Sequence, residues 1–197
     1  MVSLMNKEQE KYIEETRDGL RTQIREAYGR LVYTHTTHLK QAHIIQTANA
    51  VVQWMLIAFS AISTAGLIGI MFSFSPVALA IVSGVFTAAS LAVNLYSRGA
   101  RLGERAERHR GVANDLWPIR EDYVSLLTDL DTMDDVRIRK IRDELKEKVA
   151  AIYSNAPLTS KRAYRLAQKA LKGEEEQYFS PDELDQIIPE HLRTGSK

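Results

Sequence analysis

QAHIIQTANAVVQWMLIAFSAISTAGLIGIMFSFSPVALAIVSGVFTAASLAVNLYS, residues Gln41–Ser97, holds 57 residues without one Asp, Glu, Lys or Arg. Within it lie two apolar runs, Val51–Phe72 and Pro76–Tyr96, separated by Ser73-Phe74-Ser75. Each has the roughly 20 residues needed to cross a hydrocarbon core about 30 Å thick at 1.5 Å per residue. The alternative is a buried hairpin at the centre of a soluble bundle. A soluble core helix rarely stays apolar on every face for five or six turns, and two in succession are harder to explain. The stretch therefore reads as two membrane spans joined by a tight turn.

The charges confirm how sharply the chain is divided. All 26 basic and 25 acidic side chains fall in Met1–Lys40 and Arg98–Lys197, so a mean hydropathy of -0.24 and a net charge of +1 conceal the segregation. With no cysteine there is no disulfide framework, thiolate metal site or thiol nucleophile. The N-terminal segment is charged and long before the first apolar run, unlike a signal peptide. Basic residues flank both spans, among them Arg98, Arg101 and Arg105, and the connecting turn has none. By the positive-inside rule these arginines set the topology, with both termini cytoplasmic and the turn outside.

Outside the spans the apolar pattern has helical period. Glu8–Gln46 reads as one amphipathic helix with Leu20, Ile24, Ala27, Leu31, His35, His38 and Ala42 on a stripe, running unbroken into the first span. Past the second span, Leu102, Ala106, His109, Ala113, Leu116, Arg120, Tyr123, Leu127 and Leu130 step by 4 and 3, with a bend expected near Trp117 because Pro118 lacks an N–H. An Asp-rich turn over 129–135 leads to a helix with Ile138, Ile141, Leu145, Val149 and Ile152 on one face, ending before Asn155-Ala156-Pro157. Two short tail helices follow. Thr159 or Ser160 caps Lys161–Lys172, with Gly173 suited to a left-handed C-cap. Ser180-Pro181-Asp182-Glu183 is a capping box, and its helix stops before Pro189.

No segment alternates as a strand does. The fold class is all-α: a two-span transmembrane helical hairpin continuing into a cytoplasmic helical bundle. Residues 1–50 form the N-terminal cytoplasmic helix, 51–97 the hairpin, 98–155 the return helices and 156–197 the short-helix tail. A turn centred near Phe74–Ser75 pairs residues whose numbers sum to about 149, which brings Leu31 near Pro118 and His38 near Gly111. The fourth helix folds back along the projecting hairpin.

Three sets of residues are candidates for function. His35, His38 and His109 form a seam on the two stripes. Imidazoles suit a pH-sensitive or zinc-binding site, but no Asp, Glu or Cys stands at ligand spacing, so a hydrogen-bonded interface without metal is expected. In the second span Ser83, Thr87, Ser90, Asn94 and Ser97 share a face. They either bond back to their own helix or turn toward a water-filled path. Apolar Val77, Phe86 and Leu91 would close such a path at rest. Beside that face Ala80, Gly84, Ala88 and Ala92 make a small-residue ridge for helix packing. The first span has a weaker polar line of Gln46, Asn49, Gln53, Ser60 and Thr64. No phosphate loop, paired carboxylates or Ser-His-Asp spacing points to an enzyme. The Arg98–Arg110 cluster lies where anionic lipid rather than nucleic acid would meet it.

The two spans, the return segment RLGERAERHRGVANDLWPIREDYVSLLTDL and the tail YSNAPLTSKRAYRLAQKALKGEEEQYFSPDELDQIIPEHLR together resemble the bacterial SLATT family of two-span effectors. The tail motifs Ala156-Pro157, Thr159-Ser160-Lys161-Arg162-Ala163-Tyr164, Ala167-Gln168-Lys169-Ala170-Leu171, Phe179-Ser180 and Leu192-Arg193 carry the resemblance most specifically. It implies a pore-forming effector of conflict or antiphage systems that oligomerises in the inner membrane, depolarises it and arrests growth. It also implies a separately encoded sensor or nucleotide-signalling partner, with no cofactor and no catalytic residues. A non-conducting membrane anchor that recruits a cytoplasmic partner through its hairpin is the alternative.

Overall fold

A computed structural model of the chain describes residues 2–72, 75–174, 176, 177, 179–189 and 193, with side chains from Glu14 onward. Every regular element among them is helical. The first, α1 (Val2–Phe72), is a single helix of 71 residues, roughly 105 Å long at 1.5 Å per residue. It passes from the charged N-terminal half into the apolar run without a break, as its uninterrupted periodicity requires. Most of the expected turn, residues 73 and 74, lies outside the described residues; Ser75 is the N-cap of α2 (Pro76–Ala100), and Pro76 in its first turn suits a helix start.

The return is not one continuous rod. Arg101 adopts φ 44, ψ 45, the left-handed region, between α2 and α3 (Leu102–Asp129). Its N–H reaches Ser97 O at 3.2 Å and its own carbonyl accepts from Arg105 N at 3.0 Å, so both helix ends stay bonded across the break. A non-glycine residue there costs on the order of 1 kcal/mol. Gly99 and Gly103 flank the position, yet neither has a positive φ. α3 continues through Pro118 without interruption. Pro118 is exposed, so the carbonyl deprived of a partner can bond water.

The distal end is closed by a 3-10 turn, Leu130–Thr132, and α4 (Asp135–Asn155), capped by Asp134, whose side chain accepts from Arg137 N. Arg17 donates to the carbonyls of Leu130 and Met133, both at 2.6 Å, and Arg21 pairs with Asp131. α4 folds back as expected. Arg142 donates to Gln23 at 2.9 Å and Lys148 pairs with Asp122 at 3.2 Å. The core lies here: Leu20, Ile24 and Leu31 of α1 meet Leu116, Ile119, Tyr123 and Leu126 of α3, with Ile138 and Leu145 of α4 below. All five expected α4 positions are buried or half-buried.

Across the two apolar runs the burial pattern is the reverse. Only 6% of either run's most apolar window is buried, and Trp54, Met71, Phe72 and Val77 are 70–81% exposed. A soluble core helix would hide those side chains. Two helices this long, this apolar and this uncovered are built to be covered by something other than their own chain, and a bilayer is the solvent that fits.

The short-helix tail packs back on the rest of the chain. After an extended 156–160 segment, α5 (Lys161–Gly173) docks on α1 with Ala163, Ala167 and Ala170 wholly buried. Ser160, not Thr159, is the cap, accepting from Ala163 N at 3.2 Å. Gly173 is the last helical residue and is not left-handed. The end carbonyls of Lys169 and Ala170 are instead met by Glu174 N and Glu176 N, and the positive φ falls at Gln177, at 71°. α6 (Pro181–Ile187) has both halves of its Ser180–Glu183 capping box.

Candidate functional site

The register rule carries through the molecule. Gly66 faces Ser83, Ser63 faces Thr87, His38 faces His109 and Arg17 faces Leu130, pairs that sum to 147–150. Two places along that seam hold polar groups that an apolar packing would not need.

The first lies midway along the apolar helices. Ser63 Oγ stands 2.5 Å from Thr87 Oγ1 and 3.2 Å from the Ser83 carbonyl, which also accepts from Thr87 Oγ1 at 2.8 Å. Two hydroxyl protons serve three contacts, so one contact always lacks a donor. Ser83 Oγ points at Gly66, where a Cβ would meet it at 2.1 Å, and has no hydrogen-bond partner. Glycine at 66 is thus a condition of the close approach. Gly69 plays the same part against Leu79, at 3.2 Å.

From this trio an open polar groove of about 370 Å³ runs between the helices toward the charged half, lined by Ser60, Ser63, Thr64, Thr87, Ser90 and Asn94 with Leu91. Ser83 is buried at its inner end, Ser90 and Ser97 are half-buried, and Thr87 and Asn94 are exposed. Asn94 has no hydrogen-bond partner among the described residues. The five polar positions thus divide: Ser83 and Thr87 serve the hairpin contact, Thr87, Ser90 and Asn94 line the groove, and Ser97 lies beyond its lining. Ser63 is the residue that sequence reading overlooked, although 63 and 87 satisfy the register sum. Ala80, Gly84, Ala88 and Ala92 all face outward, and a Cβ at Gly84 would meet nothing within 4 Å. That ridge takes no part in packing within the chain. Of the apolar trio, Phe86 packs on Phe59 with ring centroids 5.5 Å apart, whereas Val77 and Leu91 are exposed.

The second place is the histidine seam. His38 and His109 meet with Nδ1 atoms 3.0 Å apart and ring centroids 5.1 Å apart, so one imidazole donates and the other accepts. His35 lies one turn away against the Trp117 ring, at 5.5 Å, and Arg120 covers that ring from 4.6 Å. The seam is closed from behind by the tail. Gln177 Nε2 donates to Thr36 Oγ1 at 3.1 Å and lies 3.4 Å from His35 Nδ1. Gln41 accepts from Ser160 N at 2.9 Å, and Lys40 pairs with Glu176 at 2.6 Å. Tyr33 stacks on Tyr164, centroids 6.1 Å apart.

Consequently His35, Thr36, Thr37 and His38 are all buried, a run no amphipathic helix shows when packed on one side. α3 covers one face of α1 and α5 the opposite one. Burial lowers all three histidine pKa values. For His38 the neighbouring His109 and then His35 add to it, bringing the value to about 4. The charge of Arg120 adds to the shift at His35, and that of Arg105 at His109. The rings are held neutral at pH 7. Among the described residues no three His, Cys, Asp or Glu gather as a metal site would need. Of the basic group expected to set topology, Arg98 lies in the last turn of α2, Arg101 forms the break and Arg105 lies in the first turn of α3, all three exposed.

No curated protein and no solved structure matches the chain. The paired apolar helices do have a counterpart in a described family. Residues 20–183, which take in both apolar helices, the return, α4, α5 and the start of α6, match the SMODS and SLOG-associating 2TM effector domain family 4, and the chain belongs to that SLATT family.

Proposed function

We propose that this protein is a pore-forming or membrane-disrupting effector of a bacterial antiphage or conflict system. It oligomerises in the inner membrane with both termini cytoplasmic, and its activation depolarises the cell and arrests growth. The observation that carries the reading is the open polar groove along two otherwise apolar helices. A carboxamide and several hydroxyls turned to hydrocarbon would each lose a hydrogen bond worth several kcal/mol. Water or a neighbouring copy must therefore face the groove. The outward small-residue ridge on the same helix gives a second copy a surface on which backbones can approach closely. A sensor or nucleotide-signalling protein encoded elsewhere supplies the trigger.

A voltage-sensitive dye in cells expressing the full chain tests this. Activated protein should depolarise them, and Thr87→Leu or Asn94→Leu should abolish the signal with insertion unchanged. Depolarisation by both variants would remove the groove as the conducting path. The competing reading, a non-conducting anchor that recruits a cytoplasmic partner, draws on the Ser63–Thr87–Ser83 contacts being made within one chain. It leaves the membrane potential intact and tolerates both substitutions.

A further inference from the structure

Beside the histidine seam, and sharing only the Tyr33–Tyr164 stack with it, lies a second opening in the charged half. Where α1, α3, α4 and α5 converge lies a cleft of about 600 Å³, within the range of small-molecule sites. Four of its walls are tyrosines, Tyr33, Tyr123, Tyr153 and Tyr164, and its two cations are Arg30 and Lys146; no carboxylate lines it. Sequence periodicity explains only Tyr123, which belongs to the α3 stripe. The others arrive from three separate helices.

Several observations distinguish this cleft from a gap left by imperfect packing. Tyr123 is only 3% exposed, and its hydroxyl has no hydrogen-bond partner among the described residues although it borders the cavity. That oxygen therefore opens on the cavity, where an occupant could accept from it. Lys146 makes no ion pair among the described residues, and Arg30 has only a long 3.5 Å contact to exposed Glu26. The Tyr33 and Tyr164 rings stack on each other at 29° and form one aromatic wall of the cleft. Aromatic walls, a phenol without a hydrogen bond and two cations with no carboxylate among the lining residues are complementary to one kind of molecule. A membrane lipid does not reach it, because Tyr33 precedes Val51 by 18 residues, about 27 Å of helix.

We propose that this cleft binds a small soluble organic anion carrying a planar ring, either a nucleotide or an aromatic carboxylate. The ring packs against the tyrosine walls, the anion pairs with Arg30 and Lys146, and Tyr123 donates its hydroxyl. Because Tyr164 is on α5 and Lys146 on α4, the occupant ties the tail to the rest of the bundle. The inference stands apart from the conduction reading.

Isothermal titration of the full chain in nanodiscs tests it, with AMP, GMP and UMP in one arm, indole-3-acetate in the other, and adenosine and inorganic phosphate as controls. At least one ring-bearing anion should bind, with adenosine and phosphate about tenfold weaker or worse. Lys146→Gln, an exposed position that should not disturb folding, and Tyr164→Ala should each weaken binding about tenfold. Which arm binds identifies the source of the ligand. The proposal is overturned if no ring-bearing anion binds at millimolar concentration, if phosphate alone binds as tightly, or if Lys146→Gln and Tyr164→Ala both leave affinity unchanged.

Discussion

The two halves of α1 are one helix in two solvents. From Leu20 to Ala42 it buries an apolar stripe against α3 and turns its charges outward. From Val51 to Phe72 the same helix turns its large apolar side chains outward and buries Ser63 and Gly66 against α2. The charged half is held by burial of apolar area away from water, the ordinary driving force of folding. The apolar half cannot use that force, since lipid is as apolar as its side chains. It relies on close backbone approach and on hydroxyl contacts. The register established in one half is nevertheless the register of the other, because an unbroken helix transmits it.

The same type of substitution should therefore cost different amounts in the two halves. Leu116→Ala, in the fully buried core of the charged half, should destabilise by about 3 kcal/mol. In nanodiscs its thermal melt should fall well below wild type, while Leu95→Ala, 63% exposed on α2, should melt as wild type does. Equal losses would mean the apolar helices are packed as a core.

In the other half the sensitive change is an addition. Gly66→Leu places atoms where Ser83 Oγ already sits and should cost about 2 kcal/mol by overpacking. The chain has no cysteine, so Ser63→Cys with Thr87→Cys gives a clean cross-link for the native register. That cross-link should form efficiently alone and fail when Gly66→Leu is added.

The histidine seam adds a pH dependence to the charged half alone. Its folded pKa values lie below 6.5, that of His38 at about 4. Between those limits the unfolded chain binds more protons, so stability is complete above about pH 6.5 and falls as the pH drops toward about 4. Melting should drop on the order of 5 °C between pH 7 and pH 4.5, and His38→Gln should flatten the profile. Smaller still, Ser160→Ala removes the α5 cap for about 1 kcal/mol. Its readout is faster protease cleavage around 156–160, with the α1–α3 core melting unchanged.

Much of this was legible in the residue order. The α1 and α3 stripes, the apolar face of α4, the Ser180 capping box and the pairing sum near 149 follow from local rules of period and capping, which need only neighbours in the chain. The errors and omissions share one cause. Gly173 satisfies the composition of a left-handed cap, yet the chain takes that conformation at Gln177, where the side chain must reach Thr36. The break at Arg101 rather than at Gly99 or Gly103 has no local signal either. Ser63 carries no local signal because its importance comes from Thr87 on another helix. The four consecutive buried residues His35–His38 look like an ordinary polar interruption until α5 closes on them.

By itself, then, the sequence determined the segregation of charge, the two runs long and apolar enough to cross a membrane, and the helical hairpin with its depth register. Those are properties of composition and period along one chain. Tertiary structure alone decided that the tail docks on α1 rather than trailing from it, and that the small-residue ridge faces outward. It likewise brought four tyrosines and two cations from separate helices to one cleft. Each of these depends on which helix faces are still uncovered after the first pair has packed, a question that three-dimensional contact answers and spacing does not.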